Sequence, residues 1–119
     1  MRNTNTMGKT MTRALAKCNK RFIAYNEVQW AYAEVLEKDD EIAEIKCNVK
    51  LLGFELGDNY STDFVCSKKN GELLIVETVL KKHLLKPMNC RLLDGSRRYW
   101  MGRGATDFRL VVGDKNDEK

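Results

Sequence analysis

The segment that most constrains this chain is Leu73-Leu74-Ile75-Val76-Glu77-Thr78-Val79-Leu80. Side chains of an extended strand alternate between faces, and this run is apolar on both. Such a strand needs cover on two sides, which points to a sheet sandwiched in an α/β fold. One residue is out of place: an isolated ionised carboxylate at Glu77 would cost several kcal/mol inside such a run. Glu77 therefore implies a partner, a metal ion, or an exit to solvent at the strand's end.

The flanking sequence supplies the rest of the sheet. Cys47, Val49 and Leu51 alternate with Lys46, Asn48 and Lys50, a strand pattern that starts at Ile45 and runs on through Phe54 and Leu56 with a bulge at Gly53. Gly57-Asp58-Asn59 turns the chain into a strand over residues 60–66, and Lys68-Lys69-Asn70-Gly71 turns it into residues 73–80. The result is a three-stranded antiparallel meander. Strand parity puts Asp63 with Val65 on one face, and Glu77 with Ile75 and Val79 on one face.

Helices flank the meander. Asn26 followed by Gln29 has the form of a capping box and opens a helix to Lys38, with Val28, Ala31, Tyr32 and Val35 as its apolar stripe and Glu27 in its first turn. Lys38-Asp39-Asp40-Glu41 ends it. Pro87 opens a second helix through Tyr99-Trp100, stopped by Gly102 and Gly104, and Phe108 to Val112 reads as a final strand beside an earlier one. Residues 12–24 read as a basic helix. The expected organisation is a basic, partly flexible segment over 1–24, a core domain over 25–112 and a frayed polar tail over 113–119.

Composition narrows the class. At 119 residues the chain makes one domain, and 43% hydrophobic with 32% charged residues and a single Pro is ordinary globular composition. The longest aliphatic run is Leu73 to Val76, against the ~20 residues of a membrane-spanning helix, and the polar start has no signal-peptide core. These features predict a cytoplasmic protein with no membrane contact. Cys18, Cys47, Cys66 and Cys90 show no CxxC or Cys/His spacing, so the reading is free thiols in a reducing compartment and no zinc.

Charge is uneven. Residues 1–23 carry Arg2, Lys9, Arg13, Lys17, Lys20 and Arg21 and no acid. Residues 81–104 carry Lys81, Lys82, Lys86, Arg91, Arg97, Arg98 and Arg103 against Asp94 alone, and an acidic segment lies between the two. Two basic segments suggest a phosphate-binding surface, with solvated basic faces as the plain alternative.

An Asp and a Glu on neighbouring strands, with a third acid on a preceding helix, are the hard oxygen ligands that Mg²⁺ takes beside a phosphate and water. The pattern Asp63-Phe64, a turn at Asn70-Gly71, then Leu74-Ile75-Val76-Glu77 resembles the core of the PD-(D/E)xK nuclease superfamily. The wider text, from Asn26-Glu27 and Trp30-Ala31-Tyr32 through Tyr60 to Val65, then Lys86-Pro87, Leu92-Leu93-Asp94, Ser96-Arg97 and Tyr99-Trp100, is similar to the amino-terminal catalytic domain of TnsA-type transposon endonucleases. The resemblance covers roughly residues 25–112. It implies a restriction-endonuclease-like core with Glu27, Asp63 and Glu77 as the acids that hold Mg (or Mn), and the Thr78 carbonyl as a further ligand.

The departures are specific. Thr62 stands where the family has Pro, which only stiffens a turn. Val79 stands in the position of the motif lysine, which removes the cation that orients water. Lys81 has the right parity to replace it, but four residues at ~3.3 Å rise put it about 13 Å from Glu77 unless the strand bends. Lys82 and Lys86 follow, and His83 reads as a loop residue. Lys82, Lys86, Arg97, Arg98 and Arg103 are the candidate nucleic-acid contacts, while Tyr99 and Trp100 read as core packing before base stacking.

The function this implies is a metal-dependent DNA endonuclease of a mobile element or phage. A transposase-like partner would choose the target, or the chain would pair as a homodimer, since the resemblance spans only a catalytic domain's length. The rival is a nuclease-fold module that binds nucleic acid or a protein without turnover, for which Val79 speaks directly.

Overall fold

The structure is a computed structural model that describes residues 10–57 and 59–113. A ribbon of β1 (Met11–Arg13) and β2 (Phe22–Ala24) leads into α1 (Glu27–Lys38). The meander follows as β3 (Ile42–Lys50), β4 (Ser61–Lys68) and β5 (Leu73–Leu80). Then come a short α2 (Lys81–Leu84), α3 (Pro87–Met101) and β6 (Asp107–Gly113).

The main sheet runs β3-β4-β5-β6, antiparallel up to β5 and parallel between β5 and β6. A parallel pair needs a crossover, and α3 supplies it. This places β5 inside the sheet, hydrogen-bonded on both edges, as its two-sided apolar sequence requires. Ala33 and Leu36 of α1 join Phe64, Cys66, Leu74 and Val76 in the core on one face. On the other face Val65 and Ile75 pack with Trp100 of α3. The chain is therefore an α/β sandwich with a mixed sheet.

Local signals explain the elements. Asn26 caps α1 by accepting from the Gln29 N–H at 2.8 Å, and Gln29 returns the bond to the Tyr25 N–H at 2.9 Å, one residue earlier than a standard capping box. Pro87 occupies the first turn of α3. Gly71, with φ 91°, closes the turn before β5 in a conformation that favours glycine.

Four expectations need correction. Residues 12–24 form the ribbon and its loop, not a basic helix; Phe22 and Ala24 are fully buried, so the core begins ahead of residue 25. Basic residues hid this, because the apolar positions of so short a strand are only two. The third strand starts at Ile42 and ends at Lys50, so Gly53, with φ 71°, belongs to a turn beyond it and not to a bulge. Lys81 to Leu84 form a helical turn of their own. Gly113 closes β6 against Leu80, whereas residues 114–119 of the expected tail lie outside the described residues.

The strongest local irregularity is at Asn48, whose φ of 55° is left-handed. Cys47 packs with the α1-side core and Val49 with the α3-side core, so β3 changes face at this residue. Its side chain is tied on both ends: Nδ2 donates to the Ile23 carbonyl at 2.7 Å, and Oδ1 accepts from buried Gln29 at 2.8 Å. The register Cys47↔Phe64 and Val49↔Thr62 sets Asp63 opposite this break.

Helix α1 reaches the same end of the sheet. A Cβ built on Gly113 would meet Val28 Cγ2 at 2.5 Å, which a stiff β-branched side chain does not yield. Replacing Gly113 with Ala should therefore cost about 1–3 kcal/mol in urea unfolding. The loss should shrink in a Val28→Ala background; an equal loss in both would place the strain elsewhere.

Candidate functional site

Asp63 and Glu77 are both fully buried, one on each of two adjacent central strands. The Asp63 N–H donates to Glu77 Oε1 at 3.3 Å. Glu77 Oε2 accepts the Ser96 hydroxyl from α3 at 2.6 Å. Asp63 Oδ2 accepts the Thr78 N–H at 2.6 Å and also the Thr78 hydroxyl. In an extended residue N–H and C=O project to the same side, so the Thr78 carbonyl faces β4 as well.

A second row braces these groups. Trp100 Nε1 donates to Thr62 Oγ1 at 2.8 Å, and Thr62 Oγ1 lies 3.4 Å from Ser96 Oγ. Thr62 and Ser96 are both fully buried. Thr62 thus does more than fill the place of a proline: it couples the start of β4 to α3.

These contacts correct the parity expectation. Thr62 shares the α3 side with Glu77, and Asp63 turns its carboxylate to Thr78, whose side chain alternates away from Glu77. Phe64 returns to the α1-side core. The alternation breaks between Asp63 and Phe64, opposite the break at Asn48, and a count of residues cannot foresee it. Asp63 and Glu77 are adjacent, but across a change of face.

Glu27 opens α1 as its first residue, and its Oε1 is buried with no hydrogen-bond partner. Among the described residues no group of three His, Cys, Asp or Glu side chains stands close enough to hold a metal ion. Asp63 and Glu77 are the adjacent buried pair, with Glu27 on the helix that reaches the same sheet end. Two carboxylates satisfy Mg²⁺, which commonly keeps several waters and takes one or two protein carboxylates. The bonds from Ser96, Thr78 and the Asp63 main chain orient the carboxylate oxygens.

The cationic residues are dispersed. Val79 is buried at the position of the motif lysine. Strand β5 keeps regular pairing with β6 through Leu80, so it does not bend to return Lys81, which starts α2 exposed. Lys82 and Lys86 are exposed nearby. His83 Nε2 is buried without a partner, and burial followed by Lys86 and Lys82 lowers the ring's pKa.

On α3, Arg97 is exposed. Arg98 is held by Glu55 at 2.7 Å and by Asp94, contacts that raise its pKa. Arg103 lies over the Tyr99 ring at 3.9 Å. Tyr99 makes edge contacts with Phe54 and Trp100, so the aromatic pair packs the core as expected.

Sequence reasoning passed over Ser96 as a functional neighbour. The signal was present: Leu93, Ser96 and Trp100 fall at i, i+3 and i+7, so a serine lies in the stripe that α3 turns inward. No protein-family model matches the chain, and no curated protein matches it.

The Glu77 carboxylate depends on the Ser96 hydroxyl. Ser96→Ala should lower stability by about 1–3 kcal/mol, the cost of a buried acceptor deprived of its donor. Urea unfolding at neutral pH measures it, and an unchanged midpoint would remove Ser96 from the account.

Proposed function

We propose that the chain is a metal-dependent DNA endonuclease of the PD-(D/E)xK type, similar to the catalytic domain of TnsA-type transposon endonucleases. The observation that carries this reading is the adjacency of two fully buried carboxylates, Asp63 and Glu77, on neighbouring strands of a mixed sheet with a helical crossover. Stability alone does not favour buried acids, since replacing them with apolar groups is often neutral or better.

Asp63, Glu77 and the Thr78 carbonyl would hold Mg²⁺ or Mn²⁺, with Glu27 joining from α1. Such an ion polarises a phosphodiester and lowers the pKa of the attacking water. The chain's own groups then have limited tasks. Ser96 and the Asp63 N–H fix the Glu77 carboxylate, and Thr78 fixes Asp63. Lys82, Lys86 and Arg97 supply exposed positive charge for phosphates, while Arg98 and Arg103 are already engaged within the fold. A mobile element or phage as source, and a transposase-like partner or second copy to direct cutting, complete the proposal.

One set of observations favours the second reading, a module that binds without turnover. Val79 buries an aliphatic chain where a lysine would orient water, and the change of face at Asp63 separates the directions of the two carboxylates. Cleavage of supercoiled plasmid under Mg²⁺, Mn²⁺ and EDTA divides the readings. The nuclease reading expects nicking that EDTA stops and that Asp63→Asn and Glu77→Gln abolish. It also expects one of Lys81→Ala, Lys82→Ala and Lys86→Ala to lose ~10²–10⁴-fold in rate, the usual worth of a general base. Salt-sensitive DNA binding with no cutting of duplex, branched or single-stranded substrates, alone or with a partner, would establish the binding module instead.

A further inference from the structure

Two thiols lie outside the acid pair, with Cys47 near enough to Asp63 for that charge to help raise its pKa. Cys18 lies in the loop between β1 and β2, Cys47 lies in β3, and their Sγ atoms are 3.2 Å apart. The loop is pinned to the strand beside them, because the Ile45 N–H donates to the Lys17 carbonyl at 2.9 Å. Both cysteines are half-buried and line a cavity of about 590 Å³. Lys20, Arg21, Lys46 and Lys50 line it too, all exposed, and among the described residues of its lining none is acidic.

The hydrogen bond between the sulfurs separates their roles. It lowers the pKa of Cys18, against burial and the charges of Glu37 and Glu44, and it raises that of Cys47 together with burial. Cys18 is thus the readier thiolate of the pair, and either sulfur can donate across the contact while both are protonated. The contrast lies within the same chain: burial pushes the Cys66 thiol up to about 12.

We propose that Cys18 and Cys47 form a thiol–disulfide exchange site that accepts a small anionic disulfide, such as glutathione disulfide, in the basic cavity. The Cys18 thiolate attacks one sulfur of the ligand, its S–S bond breaks, and one ligand thiolate leaves and takes up a proton. Cys47 loses its proton to solvent and attacks the Cys18 sulfur of the mixed disulfide, displacing the second ligand thiol. Two protein thiols are oxidised by two electrons, and one ligand disulfide is reduced to two thiols. A disulfide bond is about 2.0 Å long, so the sulfurs need approach by only about 1 Å. The product clamps the 14–21 loop to β3 one residue from Asn48. None of this depends on the nuclease reading.

The test treats the reduced protein with glutathione disulfide and maps the products by mass spectrometry. The expected product is a peptide pair joined through Cys18 and Cys47, with the chain lighter by two hydrogens and restored by dithiothreitol. Cys47→Ser should trap a glutathione adduct on Cys18, and Cys18→Ser should leave Cys47 largely unmodified. The cationic disulfide cystamine should react at least about tenfold more slowly at low salt, since a like-charged cleft repels it, and high salt should narrow the gap. Modification of exposed Cys90 alone in the wild-type protein would overturn the proposal. Equal rates with the two disulfides would overturn its anionic ligand.

Discussion

Everything at the centre of this molecule answers to one constraint: a glutamate lies inside a strand with no edge and no open face. β5 is paired on both sides and covered by α1 and α3, so the Glu77 carboxylate must find its polar contacts within the protein. It finds a serine hydroxyl on α3 and the main-chain N–H of Asp63. Those bonds fix the rotation of α3, which must present Ser96 inward. They also fix the start of β4, which gives its main-chain donor to Glu77 and its side chain to Thr78. Trp100 and Thr62 then hold the helix and the strand at that spacing.

The Asn48 break belongs to the same arrangement. A flat, regular β3 would keep Cys47 and Val49 on one face, and β4 would follow it in register. By turning left-handed at Asn48, β3 serves both cores, and β4 changes face with it at Asp63. Buried Gln29 on α1 and the carbonyl of Ile23 on β2 hold Asn48 in that strained conformation, so the N-terminal ribbon and first helix support the site from behind. A polar network of this kind stays only where each member is satisfied.

Much of this was legible in the residues. The two-sided apolar run marked β5 as central, Asn70-Gly71 marked the turn, Asn26 and Pro87 marked the helix starts, and the anomaly at Glu77 marked a buried carboxylate that needs polar partners. What escaped was decided by tertiary contacts. Strands β1 and β2 are three residues each and gain their structure from Phe22 stacked at 5.7 Å on Phe64, which no local pattern encodes. The face of Asp63 depended on the backbone angle of a residue on another strand. Ser96 stands in the inward stripe with Leu93 and Trp100, but its role was not legible, because the acceptor of its hydroxyl, Glu77, lies on another element.

The central claim is that Asp63 and Glu77 are kept buried to hold a divalent ion. The most direct measurement is the thermal midpoint of the wild-type chain and of Asp63→Asn, each titrated with Mn²⁺ and with EDTA. A ligand that binds only the folded state stabilises it by mass action, about 2.7 kcal/mol at a hundredfold excess over Kd. The account predicts a midpoint that climbs with Mn²⁺ in the wild type, stays level in Asp63→Asn, and falls back with EDTA. A wild-type midpoint indifferent to Mn²⁺, or a rise equal in both proteins, would contradict it.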